Sequence, residues 1–312
     1  FHAFSQVRIL FDTDFGGDAD DLGALVMLHQ FMTRGECEVL GILCWTTERY
    51  AVPAIDAVNR FYRHPDIPVG VRKDSSFYEE WSYSKPIADC FPNTLTADQA
   101  PDATLLYRKI LAESPDTGIT LVTVGPLKNI ENLLKSCSDT ISPLSGQELL
   151  DRKVKEFVIM GGQYPEGKNE WNFNGNMPGV TRYVLEHLRR PVTFTGYETG
   201  DRIKTGEVFN TIDPHTPLYV GFMHFSRHAP WIKDQFEGKI LDNSTYDETA
   251  VLFAVRNGTG VYWDRVHGLC IPDDTGGNTW IDDDSSPHSY LKLTMDREEI
   301  AGLIESIMLG NF

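Results

Sequence analysis

ILFDTDFGGDADDLGAL, residues 9–25, is the stretch on which the rest of the chain hangs. An apolar run reaches Asp12 and Asp14, Asp18, Asp20 and Asp21 follow within the same ten residues, and an apolar segment with helical spacing comes next. The order is strand, turn, helix. Five carboxylates crowded at one strand end repel and raise one another's pKa, so they need a hard cation among them or room to splay into water. The first arrangement is a metal site. In the second, Asp18 is a helix N-cap with Asp21 as its capping partner, Asp20 favours the helix dipole, and the remainder is a solvated turn. Both readings stand at this point.

Working outward, a strand is expected over 7–12 and a helix over 20–33, then a strand over 38–45 and a helix over 52–62. This alternation implies right-handed βαβ units and a parallel sheet. It pauses over 73–101, a stretch rich in Ser, Tyr, Trp, Asp and Pro that is too long for a routine connection and reads as a site-covering loop or an insertion. Helices over 103–114 and 127–134 then flank a strand over 119–124, and a strand over 154–160 ends in Gly161-Gly162 before the polar NEWNFN loop. A helix over 178–188 and a strand over 191–196 follow, 198–240 reads as helical, and Thr245 with Glu248 forms a capping box before a helix over 247–255. The tail reads as a strand over 260–270, an acidic turn, a hairpin over 279–295 and a last helix over 298–309. No repeat or linker interrupts the chain. The expected architecture is α/β, a single domain over 7–312 with a largely parallel, Rossmann-like central sheet flanked by helices.

Composition narrows the function. The 312 residues are 41% hydrophobic and 11% aromatic, which is ordinary for a globular protein, and no apolar run approaches the roughly 18 residues of a membrane span. Lys plus Arg number 28 against 45 Asp plus Glu, and 28 − 45 = −17 disfavours a nucleic acid polymer as partner. Cys37, Cys44, Cys90, Cys137 and Cys270 show neither a CxxC pair nor zinc spacing and read as mostly core thiols. The opening FHAFSQ is similar to the tail of a processed export signal, so residues 1–6 are read as such a remnant or a trimmed end; export to a periplasm or outside the cell is the preferred expectation, with a cytoplasmic location the alternative. Assembly into a homo-oligomer stays open.

In an open parallel sheet, ligands bind beyond the carboxyl ends of the strands. Those ends carry Asp12 and Asp14, Thr46-Thr47-Glu48, Val124-Gly125, Gly161-Gly162 with NEWNFN, and Glu198. Acids, amides and an aromatic suit a neutral polyhydroxylated ligand held by a hard cation such as Ca²⁺. GxxxxGK[ST], GxSxG, HExxH and the HxE/PCxxC pair are all absent, which removes a phosphate cradle, a serine hydrolase, a zincin and a zinc deaminase. An EF-hand fails for want of a Glu at its twelfth position. An aspartyl-phosphate phosphatase with Asp12 as nucleophile is a competing reading, weakened by the Phe15-Gly16-Gly17 and further acids that follow.

These residues together resemble the nucleoside hydrolases of the inosine-uridine-preferring family. DTDFGGDADDLGAL is similar to the family's amino-terminal signature in a form with two inserted residues, VTVGPLKNIENLL to its second strand-turn-helix, MGG with EWNF to its sugar-binding loop, and YDETAVLFAV to its last metal-binding helix. The resemblance implies a Ca²⁺ ion and hydrolysis of the N-glycosidic bond of a small ribonucleoside or close ribosyl compound. It implies Asp14 as metal ligand and general base, Asp21, the Val124 carbonyl and Asp247 as further ligands, and Asp20, Glu170 and Asn172 as partners of the ribose hydroxyls. Trp171 falls where an apolar sugar contact is expected, and Asp18, in the insertion, is a candidate additional ligand. Tyr246 stands where one branch of the family carries His, Glu48 where relatives often carry Asn, and Met177-Pro178 where Asp-Pro is usual. Tyr246, Trp81, Tyr83 and His228 are candidates for the base side. A non-catalytic protein that keeps the metal and sugar site is the main alternative, motivated by Tyr246, because a phenol is a poorer acid than imidazole.

Overall fold

The computed structural model describes residues 6–311, so most of the candidate export remnant lies outside the described residues. In chain order, β1 (Val7–Thr13), α1 (Asp20–Thr33), β2 (Cys37–Cys44), α2 (Ala51–Phe61) and β3 (Val69–Val71) make the first βαβαβ run. After α3 (Ser84–Cys90) come α4 (Ala103–Glu113), β4 (Ile119–Thr123), α5 (Lys128–Lys135), α6 (Gly146–Lys153) and β5 (Val154–Met160). Next are β6 (Glu166–Gly167), α7 (Trp171–Asn174), α8 (Val180–His187), β7 (Val192–Thr195), α9 (Tyr197–Gly200), β8 (Lys204–Thr205) and α10 (Pro217–His228). The chain closes with β9 (Asn243–Ser244), α11 (Tyr246–Arg256), β10 (Trp263–Pro272), β11 (Asn278–Asp282), β12 (His288–Leu293) and α12 (Arg297–Met308).

Ten strands form one sheet in the order β3-β2-β1-β4-β5-β7-β12-β10-β11-β6. Neighbours from β3 to β12 are parallel, and β10, β11 and β6 add antiparallel pairs at one edge. Along β1, Ile9 and Phe11 enter one core layer while Leu10 enters the other, so an apolar run with a period of two feeds both faces of the sheet. Helix α1 is buried on nearly all sides because α11 and α12 pack over it.

The chain leaves β1 toward β2 on one side and later returns with β4 on the other, so a topological switch point lies between β1 and β4. Register places Thr13 beside Cys44 and Asp12 beside Thr123, and Thr123 beside Ile159, so the loops after β1, β2, β4 and β5 emerge level with one another. At the switch point a Cβ on Gly125 would sit 2.8 Å from the Asp14 amide nitrogen. Only glycine admits that approach.

Several expectations are corrected. The 279–295 segment is no hairpin: β11 and β12 both pair with β10, one on each side of it. The 198–240 stretch is not one helix but short pieces around α10, and α6, unforeseen, starts at a true capping box of Ser145 and Glu148. Thr245 and Glu248 form no capping box, because the Thr245 hydroxyl turns to the Ile203 carbonyl and Glu248 points into α1. The reading of the cysteines as mostly core thiols holds: all five are free, Cys37, Cys44 and Cys270 are buried, and Cys90 and Cys137 are exposed. No helix among the described residues is long and apolar enough to cross a membrane.

Candidate active site

The switch-point loops and the first turns of α1 and α11 converge on a cavity of about 1170 Å³. Asp14, one residue past β1, accepts a 2.8 Å hydrogen bond from the Trp171 indole N–H. Carboxylate oxygens of Asp20, Asp21 and Asp247 lie within 4.8 Å of one another, and these residues are 4%, 2% and 3% exposed. Asp20 and Asp21 open α1 and Asp247 opens α11, so two helix N-termini favour the charge they carry. Asp18 is not the N-cap, which is Ala19 with no side-chain cap bond; the Asp18 carboxylate instead accepts from the Ala19 amide at 2.6 Å and from Asn243 Nδ2 at 2.5 Å. Asp12 lies behind the cluster, accepting from the Tyr107 hydroxyl at 2.7 Å and Asn129 Nδ2 at 3.1 Å.

Burial raises every carboxyl here, and mutual charge adds to it. Asp14 and Asp18 rise to about 6, with the Trp171 and Asn243 bonds respectively pulling down. Asp20, Asp21, Asp247 and Glu248 are raised well above the ordinary carboxyl value, by burial first and then by the charges of neighbouring carboxylates. Among the described residues no ion pair with Lys, Arg or His reaches any of these six groups. Three converging oxygen donors without a cationic side chain fit a hard metal ion.

The NEWNFN loop forms the opposite wall. Glu170 caps α7, its carboxylate accepting from the amides of Gly162, Asn172 and Phe173 at 2.8, 2.9 and 3.0 Å. Asn172 donates through Nδ2 to the carbonyls of Val124 (2.9 Å) and Met160 (3.2 Å), and its buried Oδ1 has no partner. Trp171 therefore has a polar contact with Asp14 besides the apolar role expected of it, and its ring packs on Phe77 at 5.5 Å. Tyr246 lines the cavity, stacks on Tyr197 at 5.2 Å and donates to Asp201 Oδ1 at 3.3 Å. Burial pushes its phenol well above the ordinary value. Trp81 also lines the cavity, meeting Trp231 edge to face at 5.7 Å.

The other base-side candidates fall elsewhere. Tyr83 is fully buried beneath the site, where it packs on Phe15 and its hydroxyl accepts from the Gly16 amide. His228 does not line the cavity and lies against His224 at 4.3 Å. Glu48 accepts from the Ser82 hydroxyl at 2.6 Å. Sequence alone missed Glu248, buried against α1 beside the acidic cluster, and Glu79, which lines the cavity. The first looked like a cap, and the second sits in an aperiodic stretch.

Residues 9–299 match the sequence profile described as inosine-uridine preferring nucleoside hydrolase. The chain belongs to that family. It is accordingly an N-ribohydrolase of the nucleoside hydrolase family, which is metal-dependent, and the group of Asp20, Asp21 and Asp247 could hold a metal ion. Solved structures agree on the fold: a plant nucleoside hydrolase superposes with a TM-score of 0.69 at 16% identity over 97% of this chain and 98% of its own. An inosine-guanosine nucleoside hydrolase gives 0.69 at 18% identity over 97% and 99%. The type III effector protein XopQ, in complex with adenosine diphosphate ribose, gives 0.68 at 14% identity over 98% and 94%. No curated protein matches this nucleoside hydrolase in sequence.

Proposed function

We propose that the protein is a Ca²⁺-dependent nucleosidase in which Asp14 is the general base. One observation carries this reading: the Asp14 carboxylate shares a cavity with the converging Asp20, Asp21 and Asp247 and is aimed by the Trp171 N–H. Of the converging triad, Asp21 and Asp247 would hold the ion together with Asp14 and the Val124 carbonyl, Asp18 being able to join them, while Asp20 would turn to the sugar. A bound calcium supplies a positive charge that polarises the attacking water and orients sugar hydroxyls. Asp14 removes the proton of that water as it attacks the anomeric carbon, and burial keeps the carboxyl basic enough for the task. Asp20, Glu170 and the open Oδ1 of Asn172 take the ribose hydroxyls, and the aromatic walls exclude bulk water from the developing oxocarbenium-like sugar. The substrate is a small nucleoside.

The test is metal analysis of the purified protein together with ribose release from inosine, uridine and adenosine. Asp14→Asn is expected to fold and to lose at least about 10²-fold in turnover, the scale of a general base. Turnover undiminished in this variant refutes the mechanism. Calcium-dependent binding of ribosides without any product favours the non-catalytic alternative.

A further inference from the structure

The geometry points to Glu79 as the general acid that protonates the departing base, taking the place that Tyr246 leaves open. The inference rests on the nucleosidase reading above. Tyr246 cannot fill the role, since its hydroxyl hydrogen is spent on Asp201 and its ring is stacked on Tyr197. The other carboxyls of the cavity, and Lys204, are also committed, Asp201 to the Tyr246 hydroxyl. Glu170 accepts three backbone N–H bonds, Asp242 accepts from the Glu207 amide at 2.7 Å, Lys204 donates to the Ser244 hydroxyl at 2.7 Å, and the aspartates form the metal cluster. Glu79 lines the same cavity, is half-buried, and its carboxyl has no hydrogen-bond partner among the described residues.

The chain holds it there. Its stem rests on Gly17, where a Cβ would come within 3.1 Å of Glu79 Cγ, so the loop bearing the aspartates is the floor beneath it. On one side of Glu79 the Phe77 amide donates to Thr47 Oγ1 at 2.5 Å and the Thr47 amide donates to the Phe77 carbonyl at 3.1 Å. On the other, the Tyr83 amide donates to the Gly16 carbonyl at 3.1 Å. Phe77 and Trp81 line the same cavity, so the segment that carries Glu79 is anchored at both ends and contributes aromatic wall as well as the carboxyl.

Burial, reinforced by the charge of Asp14, raises the Glu79 carboxyl to about 7. The groups around it from the neighbouring elements keep that setting. Asp14 faces it from the β1–α1 loop; Glu48, Glu80, Lys85, Asp89 and His224 line the shallower cavity on its other side. Of these, Lys85 pairs with Asp89 and His224 is held neutral by burial, its pKa lowered to about 4. The step balances: the C1′–N bond breaks with its electron pair moving to the base, the Glu79 proton goes to that nitrogen, and water adds its oxygen to C1′ while its proton goes to Asp14. Proton exchange with solvent then resets both carboxyls.

The experiment compares wild type and Glu79→Gln on the best of inosine, uridine and adenosine and on p-nitrophenyl β-D-ribofuranoside, whose phenolate leaves without a proton. The expected result is a loss of roughly 10²- to 10⁴-fold in kcat/KM on the nucleoside and of less than about tenfold on the aryl riboside. In wild type itself, kcat/KM on the nucleoside should fall above the Glu79 pKa while that on the aryl riboside does not. Equal losses on both substrates, or none on the nucleoside, overturn the assignment and leave the nucleosidase standing. Wild type that cleaves only the aryl riboside also overturns it, and wild type that cleaves neither overturns both readings.

Discussion

Replacing Gly23 by Ala tests the close approach of Glu248 to α1. Gly23 lies inside α1, where glycine costs about 1 kcal/mol relative to alanine, so the change should stabilise if space were free. It is not free: a Cβ there would lie 2.0 Å from Glu248 Oε1, 2.8 Å from Cδ and 3.2 Å from Cγ. Glu248 is 1% exposed with both carboxylate oxygens unpartnered, so it has little room to swing. Overpacking of this kind costs about 1–3 kcal/mol, which offsets the propensity gain and leaves Gly23→Ala neutral to roughly 2 kcal/mol destabilised. With Glu248→Ala as background the obstacle is gone, and the same change should stabilise by about 1 kcal/mol. The coupling from the double-mutant cycle is therefore about 1–3 kcal/mol. Urea midpoints at fixed calcium, with unchanged slopes, measure it. If Gly23→Ala stabilises both backgrounds equally, Glu248 does not press on α1 and the argument fails.

Metal removal and acid should each reveal a buried group. Chelation with EDTA should lower the melting temperature and calcium should restore it, since a ligand at about 1,000 times its Kd adds roughly 4 kcal/mol to the folded state; an EDTA-insensitive melt speaks against a bound ion. His29 is fully buried, donates through Nε2 to Asn59 Oδ1 at 2.9 Å and has its pKa lowered to about 3, first by burial and then by His64. The unfolded chain takes up this proton below about pH 6.5 and the folded chain does not, so stability is whole above that pH and drains as pH falls toward 3, by up to about 1.4 kcal/mol per unit. Urea titrations of wild type and His29→Gln between pH 7 and 4 should converge; parallel curves contradict the assignment.

Much of the fold was legible because its signals are local. The β1-turn-α1 unit declares itself by an apolar run, small turn residues and helical spacing, and α1 spans the residues expected of it. The β11 and β12 pairing was not legible, since two strands separated by a short acidic turn look like a hairpin whether they pair with each other or with a third strand between them. The candidate site shows the same division. Asp20 and Asp21 were visible as a pair, and Asp247 came in through family resemblance, but their convergence within 4.8 Å depends on α11 crossing α1. Glu248 was misread because a carboxylate three residues past a Thr satisfies the capping pattern, while its actual direction is set by the space that Gly23 leaves on another helix. Glu79 carried no periodic signal at all.

The anchored segment between β3 and α3 carries Phe77, Glu79 and Trp81 into the cavity, whereas the acidic cluster belongs to the sheet's switch point and two core helices. On the nucleosidase reading, recognition of the leaving group and assembly of the ion site would thus be written on separable parts of the gene. The segment's ties include the backbone of Thr47 and Gly16, the Thr47 hydroxyl and the packing of the Phe77 ring on Trp45 and Trp171, none of which involves the side chains of Glu79 and Trp81. A library randomised at Glu79 and Trp81, with Phe77 kept against Trp171, would explore new leaving groups on a scaffold whose acidic cluster never changes, a division of labour that suits both natural diversification and directed evolution.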